Sequence, residues 1–450
     1  MRILTYLLAL TMTPGLLALS VRKFPRVILS LSVHSRQSQP LGTGNEAIQS
    51  GFEYWSQARL KGMMTQNIEK NSAWRLELCN NGTYFGDLEN DVWHGHGIFA
   101  SMDDWSYKGQ FQHGEMHGFG VLCCANGSRY EGEFEHGRLN GYGIYTYPDG
   151  RVYNGDWKND QKSGNGNLTY PGGAVYAGGW LNDEMSGYGT STIPDGGIYT
   201  GDWLNGQWSG NGTLRFKNDS GYTGDWLNGQ MSGYGTFRAQ SGSYEGQWKE
   251  DKIHGHGIFR SRNGCFYEGQ WEENKMHGQG IFRAQSGISY EGRWKEDKMH
   301  GHGILRSRNG GSYEGQWKDN QQDGPGMFKF PDGRTLEGNF EDGRLNGQCT
   351  ITIPNVCVFR GCSVDDEISG HGTLLAQDGS SFEGQWKAGK IHGHGILRSQ
   401  NGSILYEGQC EESEDNDDAL GFPKILRDWI HSIAQNPSMP LPNSVFRRDE

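Results

Sequence analysis

A Tyr-x-Gly-x-Trp pattern returns along this chain with a period of 23 residues, and no other feature restricts its fold as much. Units start at Tyr84, Tyr107, Tyr130, Tyr153, Tyr176, Tyr199, Tyr222, Tyr244, Tyr267, Tyr290 and Tyr313, and Leu336, Phe359, Phe382 and Tyr406 continue the series. The step is 22 after Tyr222, 24 after Phe382 and 23 elsewhere. Fourteen whole units therefore span 84–405, followed by a fragment at 406–410. The glycine two positions after each start, from Gly86 to Gly408, is present in every unit. A Gly-x-Gly follows further on, as in Gly95/Gly97, Gly255/Gly257 and Gly301/Gly303, and Cys349 alone breaks it.

Period two explains the pattern. In a strand, residues i, i+2 and i+4 share a face, so Tyr, Gly and Trp line one side. The Gly-x-Gly and the apolar residue after it, such as Phe259 or Phe282, line one side of the next strand. Glycine within a strand marks a close approach to the backbone, here by aromatic rings lying across it. Asn205-Gly206, Asn228-Gly229 and Asp149-Gly150 are hairpin turn signals. Composition agrees: 71 of 450 residues are glycine and 34% are hydrophobic, too few for several conventional cores. With 12% aromatics the chain is also unlike a disordered one. The expected fold is all-β, an elongated, twisted antiparallel sheet of about 14 stacked 23-residue β-hairpins. Two strands per unit add roughly 10 Å, so the array would reach on the order of 130 Å before twist shortens it.

The flanks divide the rest. Residues 1–45 hold five basic residues and no acid: Arg2 precedes an apolar run, Ile3–Leu19, that ends at Ala18-Leu19-Ser20. That is the layout of a secretory signal peptide over 1–20, the favoured expectation for localisation. An organellar transit peptide, a membrane anchor at a cytoplasmic membrane and a misplaced start are the alternatives. Residues 46–83 read as a linker and a leading half-unit, Trp74-Arg75-Leu76-Glu77-Leu78. The array is 84–410, and Glu411–Asp418 is an acidic linker. Within 419–450, Pro423 opens an expected short helix with Leu426, Trp429, Ile430 and Ile433 on one stripe, a cap for the open end of the sheet.

The units resemble the MORN repeat (membrane occupation and recognition nexus). Tyr244-Glu-Gly-Gln-Trp-Lys-Glu-Asp-Lys-Ile-His-Gly-His-Gly257 follows that pattern nearly residue for residue, and Tyr290–Gly303 and Tyr313–Gly326 follow it closely. The sequence departs from it over Leu336–Ala376, where Leu336, Cys349 and Ser363 replace core positions, so a bend or weak point is expected there. The resemblance implies hairpin repeats used for binding or scaffolding. In relatives that are kinases or SET methyltransferases another domain does the chemistry, and neither flank here shows a motif of either kind.

Candidate sites are few. Position 17 of six successive units is Arg215, Arg238, Arg260, Arg283, Arg306 and Lys329, and by alternation Arg262 and Arg308 share its face. Such a row could engage several phosphates or an acidic partner. Against this, Glu245, Glu268, Glu291, Glu314 and Glu337 fall on the same face, where cross-strand pairing would neutralise it. The HxH pairs His94/His96, His254/His256, His300/His302 and His392/His394 offer two ligands each, and zinc wants three or four. Cysteines 79, 123, 124, 265, 349, 357, 362 and 410 form no CxxC or disulfide framework. The Gly-x-Gly motifs belong to the repeat and lack the strand–loop–helix context of a nucleotide site. Sequons at Asn81, Asn126, Asn167, Asn211, Asn218 and Asn401 are compatible with secretion, but most arise from Asn-Gly-Ser/Thr turns.

A net charge of −12 disfavours nucleic acid as the partner. The expected function is a non-enzymatic scaffold for protein–protein interaction, without cofactor or metal. The alternatives are peripheral binding to anionic phospholipid through the cationic row, and a targeting module for a separate kinase or methyltransferase. End-to-end self-association through open edge strands is a further expectation.

Overall fold

A computed structural model describes residues 75–79, 81–194 and 196–410. They fall into two units: residues up to Lys217 with Trp226–Gly229 make the first, and Asn218–Asp225 with residues from Gln230 onward make the second. The described secondary structure is 31 β-strands. Within each unit, strands consecutive in sequence pair antiparallel. The targeting segment expected at 1–45, the linker at 411–418 and the C-terminal helix lie outside the described residues.

One hairpin of the second unit shows how the sequence builds the sheet. Strands β16 (Gly242–Lys249) and β17 (Lys252–Ser261) place Tyr244 opposite Phe259, Gly246 opposite Gly257 and Trp248 opposite Ile253. Tyr244 lies flat across the glycine pair, and its hydroxyl donates to the carbonyl of Gln247 at 3.1 Å. A Cβ on Gly257 would stand 2.2 Å from the Tyr244 oxygen, so no larger residue fits beneath the ring. The turn residues Glu250 and Asp251 have φ of 50° and 63°, the two left-handed residues of a tight hairpin whose twist matches the strands. Gly255, at φ +59°, carries a bulge between Gly246 and Trp248. The side chain of Gln247 accepts the amide of His256 beyond that bulge, at 2.8 Å. Asp156 and Asp202 do the same in the first unit.

Neighbouring repeats are stitched in three ways. The rings interleave: Tyr244 meets Trp248 at 5.2 Å and Trp271 of the next repeat at 5.7 Å, both edge to face. The Trp248 indole N–H donates to the Gly235 carbonyl of the preceding repeat at 3.2 Å. Turn to turn, the Ile253 amide donates to Asn274 Oδ1 at 2.8 Å while the Asn274 amide donates back to the Ile253 carbonyl at 3.0 Å. Asp160 and Leu139, Asp297 and Met276, and Asp366 and Leu345 repeat that exchange. The core is thus one aromatic file per unit, and burial raises the phenol pKa of Tyr244 and its equivalents far above the usual range.

Through the divergent stretch Leu336–Ala376, where a bend or weak point is expected, pairing continues with one strand interrupted at Ser369. Strand β24 (Thr335–Glu341) pairs with β25 (Arg344–Ile353), and β25 with β26 (Cys357–Val364). Leu336 is shorter than a tyrosine, and Cys349 and Leu345 fill the space its ring would take; all three are buried. The loss of tyrosine and the loss of glycine compensate each other. Ser363, in a tryptophan position and 1% exposed, donates to the carbonyls of Leu345 and Glu367. Beyond it the pairing is divided between β27 (Glu367–Ile368) and β28 (Gly370–Ala376). At the other end, β1 (Arg75–Cys79) pairs with β2 (Gly82–Glu89), and Glu77 accepts the Trp93 indole N–H at 3.0 Å.

Candidate functional site

Each unit buries one face under its rings and turns the other to solvent. In the second unit, the outer face of β15 (Gln230–Ala239) through β23 (Gln321–Lys329) carries one continuous cross-strand row. Arg238, Ser243, Arg260, Phe266, Arg283, Ser289, Arg306, Ser312 and Lys329 follow one another strand by strand. The four arginines and Lys329 are exposed. Phe266 lies between two guanidiniums, with Arg260 and Arg283 each centred 5.4 Å from its ring.

The glutamates expected to neutralise this row stand one row along. Glu245 is opposite Thr236 and Ile258, and Glu268 is opposite Ile258 and Ile281. Charges on the two rows therefore meet only diagonally. Among the described residues one ladder member is ion-paired, Arg306 with Glu291 at 3.6 Å, both about half exposed. A pair so exposed contributes about 0–1 kcal/mol.

Two expected members leave the row. Strands β17 and β21 (Lys298–Arg306) end before Arg262 and Arg308, which occupy turns and do not continue the alternation. Arg215, expected in the same row, ends β13 (Gln207–Arg215), a strand of the first unit. Phe266 is a member of the row that alternation along a single strand does not reveal. Its signal was a register position directly before a unit's tyrosine, which only the pairing connects with Arg260 and Arg283.

The histidine pairs do not act together. A left-handed glycine, Gly255 or Gly301, kinks the strand between their members. His94 instead meets Glu89 at 3.1 Å, and His302 approaches Glu314 at 4.0 Å. Among the described residues no group of three or more His, Cys, Asp or Glu could hold a metal ion. The eight cysteines are free thiols. Burial pushes the Cys349 pKa up to about 12, which keeps it a protonated packing residue and not a nucleophile.

In the first unit the outer face differs in chemistry. The residue between the two glycines of Gly-x-Gly is aromatic and exposed at Phe119 (56%), Tyr142 (53%) and Tyr188 (68%). Each stands directly opposite a carboxylate on the following strand: Phe119 opposite Glu133, Tyr142 opposite Asp156 and Tyr188 opposite Asp202. The same register in the second unit sets one exposed aromatic, Tyr234, against Gln247, then His256 against Gln270, Gln279 against Arg293 and His302 against Gln316.

The sequence profile of the MORN repeat matches fourteen consecutive segments, beginning with 84–104 and 107–129 and ending with 359–381 and 382–404. The match resumes at 337, just past Leu336. No curated protein matches the chain. Among solved structures, it is similar to the TCP domain of Drosophila melanogaster SAS-4 in complex with a proline-rich motif of Ana2. That likeness has 14% identity over 35% of this chain and 89% of that one, with a TM-score of 0.25. The TCP10 domain of Danio rerio CPAP in complex with a STIL peptide gives 13%, 66%, 98% and 0.18. A streptogramin B lyase gives 12%, 69%, 94% and 0.12. At such TM-scores none of these likenesses carries a function across.

Proposed function

The chain belongs to the MORN-repeat family, and on that premise we propose that it is a non-enzymatic scaffold whose solvent-facing sheet surfaces bind protein partners. The observation that supports this most is the cationic row of the second unit. Its five cations recur once per repeat, and the register keeps them a row away from the glutamates. The one ion pair it makes is weak enough to be exchanged for a partner's acid.

A second reading follows from the same row. Guanidiniums roughly 10 Å apart also suit an anionic phospholipid surface, at about 1 kcal/mol per cation near the headgroups. Co-sedimentation of the full chain with neutral and with phosphatidate-containing vesicles, at low and high salt, separates the two. On the scaffold reading the chain stays in the supernatant throughout. A photo-crosslinker at Gln279 or Gln316 then links the outer face to a defined partner protein in cells, and R260E/R283E/R306E abolishes that link. Anion-dependent, salt-sensitive sedimentation lost in the same variant would replace the scaffold reading with the lipid one.

A further inference from the structure

The aromatic–carboxylate pairs of the first unit are placed to hold cations. An exposed ring offers its negative face to an ammonium or guanidinium, and a carboxylate beside the ring adds a full charge. Phe119 with Glu133, Tyr142 with Asp156 and Tyr188 with Asp202 each present both groups on facing residues of paired strands. Among the described residues none of these three carboxylates is ion-paired to a lysine or arginine. Asp156 and Asp202 are fixed in place, because each accepts a bulge amide, from Asn165 at 2.8 Å and Asn211 at 3.1 Å. The surrounding charge has the matching sign, since residues 84–217 contain sixteen Asp and Glu against eight Lys and Arg.

The chain already holds one of its own cations this way. Lys162 places its ammonium 5.0 Å from the Trp180 ring centroid and 3.6 Å from Asp183 Oδ1. That site is buried and filled, whereas the three outer pairs face solvent.

Spacing decides what kind of partner suits them. Phe119 and Tyr142 are two strands apart, roughly 10 Å, and Tyr142 and Tyr188 four strands apart, roughly 19 Å. Three residues of an extended or polyproline-II chain advance about 9–10 Å. The sheet meets such a chain face on, with its interior strands already paired, so the contact is made by side chains and not by strand addition. We propose that the outer face of the first unit is a docking surface for an extended basic segment of a partner protein. Its arginines or lysines, at relative positions i, i+3 and i+9, seat in the three pairs. This rests on the scaffold reading and supplies it with a partner chemistry. It uses a surface other than the cationic row, so either can fail alone.

Fluorescence anisotropy of the full chain tests it, with a labelled twelve-residue peptide in a Pro/Ser background bearing arginine at its second, fifth and eleventh positions. The controls are the same peptide with glutamine for arginine, and one with the three arginines made contiguous. The expected result is saturable, salt-sensitive binding to the first peptide, about tenfold or more tighter than to either control. F119S/Y142S/Y188S should weaken it about tenfold or more. E133Q/D156N/D202N should do likewise, while its asparagines keep the oxygens that accept the two bulge amides. R260E/R283E/R306E should leave it unchanged. Equal binding of the contiguous peptide would reduce the surface to unspecific charge attraction and overturn the proposal. Undiminished binding to both first-unit variants, with unaltered circular dichroism, or no binding to the wild-type chain, would overturn it equally.

Discussion

Lys162 occupies a core position that holds Met116, Leu139, Met185, Met231, Ile253, Met276 or Met299 in other repeats, and it is only 5% exposed. Its ammonium is ringed by Trp180 at 5.0 Å, Tyr153 at 5.7 Å and Tyr147 at 5.8 Å, with Asp183 at 3.6 Å. Substitution by methionine keeps the length of the side chain and removes the buried charge. Whether that helps depends on Asp183. Stripping one partner from a buried pair usually costs about 3–5 kcal/mol, because the other charge is left uncompensated. Here Asp183 keeps the backbone amide of residue 162 as a donor at 3.0 Å, and its side chain is 24% exposed to water. The desolvation of the ammonium is thus relieved without orphaning the carboxylate, and K162M should stabilise the fold by about 1–2 kcal/mol at neutral pH.

The pH dependence gives an internal control. Burial, the largest cause, lowers the Lys162 pKa below its ordinary value, with Asp183 opposing. Between the lowered folded value and the unfolded value near 10.4, the unfolded chain binds more protons, so wild-type stability rises with pH across that window. K162M lacks the term, and its advantage should shrink as pH climbs from 7 toward 10.4. Urea unfolding followed by tryptophan fluorescence at both ends of the window measures this. Amide exchange around β9 (Gln161–Thr169) localises it, since repeat arrays need not unfold in one step. Destabilisation by K162M, or an advantage independent of pH, would refute the reasoning.

Other consequences of the packing can be checked in the same assays. Gly257→Ala drives a methyl into the ring of Tyr244, whose hydroxyl is hydrogen-bonded, and should cost about 3 kcal/mol or more. Gly127→Ala, at φ +85° with no atom within 4 Å, should cost only the left-handed penalty of about 1–2 kcal/mol. Leu336→Tyr should destabilise by about 1–3 kcal/mol through overlap with Cys349 and Leu345, and the added change Cys349→Gly should recover part of that in a double-mutant cycle. Asn274→Gly preserves the left-handed turn at φ 68° but strips the Ile253 amide of its acceptor. A loss of about 1–2 kcal/mol is expected, with faster exchange at that amide.

How far the sequence reaches can be judged residue by residue. The period, the hairpins and the Tyr–Gly–Trp core follow from short-range rules, since i, i+2 alternation and turn propensity act within a few residues and the repeat averages away local noise. Tyr244 over Gly257 was foreseeable because a ring and a bare backbone are complementary wherever strands pair. The outer face was not legible in this way. Alternation alone extends the arginine row to Arg262 and Arg308, but the strands stop short and those residues turn away. It also suggests that Glu245 and Glu268 neutralise Arg260, whereas the register sets Arg260 between Ser243 and Phe266. Nor does it show that Tyr142 faces Asp156, which lies fourteen residues on. A bulge such as that at Gly255 adds two residues to one strand only, so everything beyond it changes partner by an amount that the sequence of one strand does not contain. Lys162 is the remaining case: read locally it belongs to solvent, and only the cage of Trp180, Tyr153, Tyr147 and Asp183, assembled from three hairpins, makes its burial tolerable. The sequence by itself determined the repeat and its core, because those depend on neighbours along the chain. The tertiary structure decided which charges meet, because that depends on neighbours across it.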